Sequence, residues 1–170
     1  LEYIAASIQD TVDQVHIVDL ELDQRKIQDC LDFYHPDVMG ISLSATEHNE
    51  TLRLANVAKK NGVTTVVGGY HPTSVPDLML SYPQIDVVIR GEGEQTMREL
   101  VKQGTPEGVL GASYKQRGRI IHNEDRPRIE NLDTIPFPAR RLRQYLYKSA
   151  DRKTDCDVLM MSRGCHGLCS

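Results

Sequence analysis

Val38-Met39-Gly40-Ile41-Ser42-Leu43-Ser44, Val63-Thr64-Thr65-Val66-Val67-Gly68-Gly69 and Ile85-Asp86-Val87-Val88-Ile89-Arg90-Gly91 decide the fold of this chain. Each is a short apolar run with β-branched residues that empties into small residues, the pattern of a buried strand running into a tight turn. Helical spacing fills the gaps between them. One helix covers Leu52 to Lys60 and is stopped by Asn61-Gly62; another is opened by Gly91-Glu92-Gly93-Glu94 and continues through Met97, Leu100 and Val101. Repeated strand and helix favour a mostly parallel sheet covered on both faces, a doubly wound α/β architecture.

Upstream, Leu1, Ile4, Ala5, Ile8 and Val12 fall on one face at helical spacing, so the chain opens in an amphipathic helix. A strand over Val15 to Leu20 and a helix across Ile27, Cys30, Leu31 and Tyr34 are expected next, the latter cut from the first quoted strand by Pro36. A sheet of this class normally begins with a strand. The expectation is therefore that a first strand precedes Leu1, and in a flavodoxin-like order it would lie between the second and third.

Downstream, a short segment from Val75 to Leu80 leads to the third quoted strand, and after Gly104 the pattern changes. Val109 to Lys115 and Arg119 to His122 are predicted to form an antiparallel edge hairpin turning at Arg117-Gly118. Residues 126–155 form a connector whose prolines, as in Ile135-Pro136-Phe137-Pro138, hold the chain extended, with a short helix expected around Leu142 to Tyr147. A last apolar strand, Asp157 to Met161, runs into Ser162-Arg163-Gly164-Cys165-His166-Gly167-Leu168-Cys169-Ser170. The organisation is thus an α/β domain over residues 1–125, the connector, and the opening of a second domain from 156.

Composition narrows the function. The chain has 170 residues, enough for one core of its own, and 20 Lys+Arg against 24 Asp+Glu leave a formal charge of −4. No basic block is present to track a phosphate backbone, which argues against nucleic acid. There is no apolar run long enough to span a bilayer and no signal-peptide pattern at Leu1, so the expected location is the cytoplasm. The four cysteines, Cys30, Cys156, Cys165 and Cys169, do not resemble a disulfide framework, and Cys30 lies among helical apolar positions as a small buried hydrophobe.

Ligands of doubly wound sheets sit outside the carboxyl ends of the strands. The first exit offers the hydroxyls of Ser42, Ser44 and Thr46, and the second offers Gly68-Gly69-Tyr70-His71-Pro72-Thr73, whose paired glycines let a ligand approach the backbone. The third, Gly91-Glu92, begins a helix where free N–H groups can meet an anion or amide. Each taken alone is equally consistent with a turn or a cap.

In their order along the chain, Gly40-Ile41-Ser42 followed by Gly68-Gly69 resembles the cobalamin-binding domain. The resemblance implies a flavodoxin-like fold in which the serine exit and double glycine line the crevice for the nucleotide tail and corrin rim. Contacts would then come from Ser42, Ser44, Thr46, Gly68, Gly69, Tyr70, His71, Pro72, Gly91 and Glu92. The run from Gly68 to Thr73 with Asp86 to Glu94 is similar to the branch fused to radical S-adenosylmethionine domains, which includes methyltransferases and anaerobic cyclases. The Asp-x-His-x-x-Gly string that supplies a lower cobalt ligand in other cobalamin domains is missing from this sequence. His71 is the one histidine in a candidate ligand loop, with a role in fixing that loop or touching the corrin edge set against cobalt ligation.

The loop with Cys165 and Cys169, spaced C-x-x-x-C after an apolar strand, resembles the start of a radical S-adenosylmethionine barrel, in which a third cysteine follows three positions on. The resemblance implies a 4Fe-4S cluster held by three thiolates, with the fourth iron open to S-adenosylmethionine. It also implies a small-molecule or cofactor-precursor substrate, an electron donor such as flavodoxin or ferredoxin, and radical chemistry such as methyl transfer to carbon or oxidative cyclisation. Lacking the rest of the barrel, this stretch is expected to be inactive by itself. A partial zinc site using His166, or two ordinary thiols, are alternatives for the cysteines. For the whole chain the alternative is a non-catalytic cobalamin-binding or degenerate α/β module.

Overall fold

Apolar strands need partners for their backbone groups, and three of them find one another in parallel. The computed structural model describes all residues except 21, 24, 149–152, 158, 159, 161 and 165–170. Strands β1 (Val38–Ser42), β2 (Thr64–Gly68) and β3 (Val87–Ile89) pair in parallel, with Ser42 opposite Gly68 and Gly68 opposite Ile89. Two antiparallel strands, β4 (Ala112–Gln116) and β5 (Arg119–His122), extend the sheet in the order β1-β2-β3-β4-β5. Their hairpin turns through Arg117 and Gly118, both at positive φ, as a twist-matched two-residue turn requires.

Helices cover both faces. α1 (Glu2–Ile8) and α6 (Gly93–Gln103) lie on one side, where Ile8, Met97 and Leu100 pack against Val66, Val87 and Ile89. On the other, α3 (His48–Lys60) and α5 (Pro76–Ser81) bring Ala55, Met79 and Leu80 onto Val67 and Val88. Alternate β-strand residues thus feed opposite cores, which is why the strands read as continuous apolar runs. A further helix, α2 (Ile27–Tyr34), closes on α3 through Leu31, Ala58 and Val63 and buries Cys30. Desolvation raises the pKa of that thiol. A one-and-a-half-turn helix, α4 (Tyr70–Ser74), directly follows β2.

Two expectations need correction. The run from Val15 to Leu20 is not a strand: its backbone enters no sheet, and Val15 and Ile17 bury themselves against α1 and Ala139 instead. The short segment from Val75 to Leu80, left without a type by its sequence, is the N-cap and body of α5, with Pro76 at its first turn, where a missing N–H costs nothing. Around Leu142 to Tyr147 there is no α-helix but a single 3₁₀ turn, Arg140–Leu142. Arg143 then leaves the helical path because its guanidinium is drawn to Glu2 and Asp157 and lies 4.9 Å from the centre of the Tyr147 ring. The final strand over Asp157 to Met161 falls largely outside the described residues, as do Cys165 and Cys169.

The stretch after β5 packs back onto the helices. Arg126 reaches Thr96 at 2.8 Å and pairs with Glu99 on α6, and Ala139 N–H donates to the Glu2 carbonyl at 3.1 Å. A second pin holds the chain at Gln144. Asp23, whose side chain is 2% exposed, binds Arg25 with both carboxylate oxygens, while Arg25 reaches Gln144 at 2.7 Å. Hydrogen bonds from Arg25 lower the Asp23 pKa from an ordinary 3.8 to about 2.

Candidate cofactor-binding site

Because β1, β2 and β3 are parallel, their exits gather at one end of the sheet. The structure therefore brings together the three strand-exit loops singled out in the sequence, but it gives them different local duties. Behind β1, Ser42 is exposed, and Leu43 turns inward while its N–H donates to the Gly68 carbonyl at 3.1 Å. Ser44 caps the next turn: Glu47 reaches back to the Ser44 N–H at 2.6 Å and to its hydroxyl at 2.8 Å, and Thr46 sits 2.9 Å from that hydroxyl. These contacts lower the pKa of Glu47, the backbone N–H of Ser44 first. Ser44 and Thr46 nonetheless remain exposed.

Behind β2 the backbone makes a turn that a side chain would block. Gly69 has φ 110° and ψ −172°, a conformation essentially limited to glycine, and a Cβ there would lie 2.8 Å from the Leu43 carbonyl oxygen. This close approach joins the first two exits. The next residue, Tyr70, is 91% exposed, an unusual place for a large aromatic side chain. Pro72, in contrast, is fully buried.

His71 is tied down by a residue the sequence reading passed over. Its Nε2 lies 3.1 Å from His48 Nδ1, and His48 Nε2 lies 3.2 Å from the Tyr82 hydroxyl, so a three-membered polar chain runs from α5's end through α3 to the glycine loop. Thr73, the last residue of the second exit loop, accepts from Gly91 N–H at 3.0 Å and donates to the Gly69 carbonyl at 2.7 Å, tying the second exit to the third. The partners are 23 and 18 residues apart, too distant for any spacing rule to disclose.

The third exit is occupied by protein. One Glu92 oxygen accepts from Ile129 N–H at 2.6 Å, and the other accepts from Arg163 at 3.1 Å. Glu94, buried at the first turn of α6, takes the other arm of Arg163 at 2.5 Å. Glu92 thus serves the chain itself, while Gly91 stays exposed with open space around its Cα.

The residues present suit a large, mostly uncharged cofactor. Ser42 and Tyr70 project at the strand ends, Gly69 admits no side chain between the first two exits, and Gly40 has nothing within 4 Å of where a Cβ would stand. Among the described residues no group of three or more His, Cys, Asp or Glu side chains is placed to hold a metal ion. No helix of the described residues is long and apolar enough to cross a membrane.

Comparison with known proteins gives this geometry its context. The family model of the B12 binding domain matches residues 1–101. The chain belongs to the B12-binding domain family, and the cofactor that this family and the fold define is cobalamin. It is 36% identical to an uncharacterized methyltransferase of Pyrococcus horikoshii over 99% of this chain and 39% of that protein. Anaerobic magnesium-protoporphyrin IX monomethyl ester cyclase of Rubrivivax gelatinosus is 27% identical over 88% of this chain and 29% of its own length. Among solved structures, the cobalamin-dependent S-adenosylmethionine radical enzyme OxsB, with aqua-cobalamin and S-adenosylmethionine bound, superposes with a TM-score of 0.66. That match has 20% identity and covers 81% of this chain and 21% of OxsB, a likeness of fold. The chain spans about two-fifths or less of the length of these curated relatives.

Proposed function

We propose that this chain is the cobalamin-holding part of a cobalamin-dependent radical S-adenosylmethionine enzyme. Residues 1–125 form the cobalamin domain, 126–155 the connector, and 156–170 the opening of the radical domain, with Cys165 and Cys169 as two thiolate ligands of a 4Fe-4S cluster. The observation that carries the reading is the convergence of Ser42, Gly69 and Tyr70 at one sheet end in a chain of the B12-binding family. The relatives named as a methyltransferase and a cyclase support it, as does the fold shared with OxsB.

Ser42 donates or accepts a hydrogen bond at the cofactor's polar edge, and Gly68 and Gly69 allow it close to the backbone. Tyr70 lays its ring against an apolar flank, a contact whose aromatic surface is already free of protein partners that would have to be displaced. His71 is held by His48 and shapes the loop around the cofactor rim, in preference to ligating cobalt. When bound, cobalamin supplies a carrier for a methyl group, and the cluster supplies the electron that cleaves S-adenosylmethionine. The parent reaction is methyl transfer to carbon or oxidative cyclisation on a small-molecule or cofactor-precursor substrate, with flavodoxin or ferredoxin as electron donor.

Titration with hydroxocobalamin, followed by the visible spectrum, tests the first half. Binding below roughly ten micromolar, weakened by Tyr70→Ala, is the expected result. Iron and sulfide analysis after anaerobic reconstitution of the whole protein tests the second, with loss of the cluster in Cys165→Ala and Cys169→Ala. Cobalamin binding without iron uptake would instead mark a non-catalytic cobalamin module.

A further inference from the structure

The ion cluster at the third strand exit has no part in the proposed cofactor contacts. Arg163 Nη1 donates to Glu92 Oε1 at 3.1 Å and Nη2 donates to Glu94 Oε1 at 2.5 Å, while its guanidinium carbon lies 5.5 Å from the centre of the Tyr3 ring. The Arg163 and Glu94 side chains are 19% and 8% exposed. A two-armed guanidinium suits a pair of carboxylates in a way that a lysine ammonium does not. The carboxylates gain further from the first turn of α6, an 11-residue helix whose N-terminal N–H groups favour negative charge. Withdrawing Arg163 would leave two adjacent carboxylates, one of them buried, without their cation, so the contact resists opening.

The partners come from far apart in sequence, 71 and 69 residues, and from different proposed domains. Arg163 directly precedes Gly164, which has φ 87° and turns the backbone, and it stands two residues before Cys165. Two residues of chain reach at most about 7 Å. The same loop is joined to the glycine exit through Thr73 and to the connector through Ile129.

We propose that Glu92 and Glu94 form a clamp whose purpose is to dock Arg163, and with it the start of the cysteine-bearing segment, onto the carboxyl end of the sheet where cobalamin is held. Arg163 is a positioning residue: held by Glu92 and Glu94, it sets where the cysteine segment leaves the α/β domain. The docking itself stands on the observed contacts. Its effect on a cluster rests on the function proposed above.

The test uses the whole protein and a double-mutant cycle of Arg163→Ala and Glu94→Gln. Hydrogen exchange should rise at least about tenfold in peptides covering 160–164 for either single variant, and the double variant should be no worse than the worse single one. Arg163→Lys should recover only part of the protection, and hydroxocobalamin binding by Arg163→Ala should stay within about twofold of the parent. In reconstituted protein, Arg163→Ala should keep its iron but alter the change in the reduced cluster's paramagnetic resonance spectrum on adding S-adenosylmethionine. Unchanged exchange in both single variants, or strictly additive effects, would overturn the clamp even if iron and cobalamin bind normally. A parent protein that takes up no iron would sink the cluster reading, and the exchange cycle would still decide the clamp. An unaltered resonance response with lost protection would overturn its positioning role.

Discussion

The loops after β2 and β3 start alike, with small residues leaving a buried parallel strand, yet they end in opposite conditions. After β2, Gly69 presses its backbone on Leu43 and Tyr70 stands 91% exposed. After β3, both Glu92 oxygens and the buried Glu94 are taken by Ile129 and Arg163. The difference teaches that strand-exit position alone does not make a ligand contact. What remains for a ligand is what the protein has not already used, and that quantity is large after β2 and small after β3.

Substitution at the glycines should break the comparison most sharply. Gly69→Ala combines a glycine-only backbone with a collision against a backbone oxygen, and is expected to cost about 3 kcal/mol or more in chemical unfolding and to abolish hydroxocobalamin binding. Gly91→Ala meets the same kind of positive φ, here 70°, but open space, so about 1 to 2 kcal/mol is expected, with a smaller effect on cobalamin affinity. Equal losses at the two sites would erase the distinction between the loops.

Side chains offer finer tests. Tyr70→Ala should leave unfolding unchanged while weakening hydroxocobalamin by roughly three- to tenfold, as expected for a lost aromatic contact. A stability loss with unchanged affinity would turn Tyr70 into a structural residue. His48→Ala removes the partner of His71 Nε2 and should cost about 1 kcal/mol, accompanied by faster exchange in the loop 69–73.

A pH-dependent effect is expected outside both loops, at the Asp23–Arg25 pin. The carboxyl pKa of Asp23 falls in the folded state to about 2 from 3.8, so the unfolded chain binds more protons between those values. The contribution is therefore complete above about pH 5 and is lost as the pH drops through 4 toward 2. Unfolding of Asp23→Asn compared with the parent should show a difference that is constant at neutral pH and closes across that acid window. A difference independent of pH would contradict it.

Much of this arrangement was legible in the residues. Val66, Val67, Val87, Val88 and Ile89 declare buried parallel strands because both their faces are apolar, and Arg117-Gly118 declares the hairpin through its turn chemistry. Val15 to Leu20 is rich in β-branched residues too, yet it joins no strand of the sheet, and Val15 and Ile17 pack against α1 and Ala139 instead. Strand propensity records a suitability for a pleated surface and is silent on whether a partner is there. Ser42, Gly68, Gly69 and His71 could be picked out as loop residues after strands. What could not be read was which of them the protein engages: His48 meeting His71, Thr73 bridging two exits, and Arg163 answering Glu92 and Glu94 are all long-range encounters.

The claim that the crevice is built by the first two exits is tested most directly by hydrogen exchange of this chain with and without saturating hydroxocobalamin. Protection concentrated in residues 42–46 and 68–71, with 91–94 little changed, is the predicted result. Protection confined to 91–94, or no protection anywhere at concentrations of roughly tens of micromolar, would contradict it.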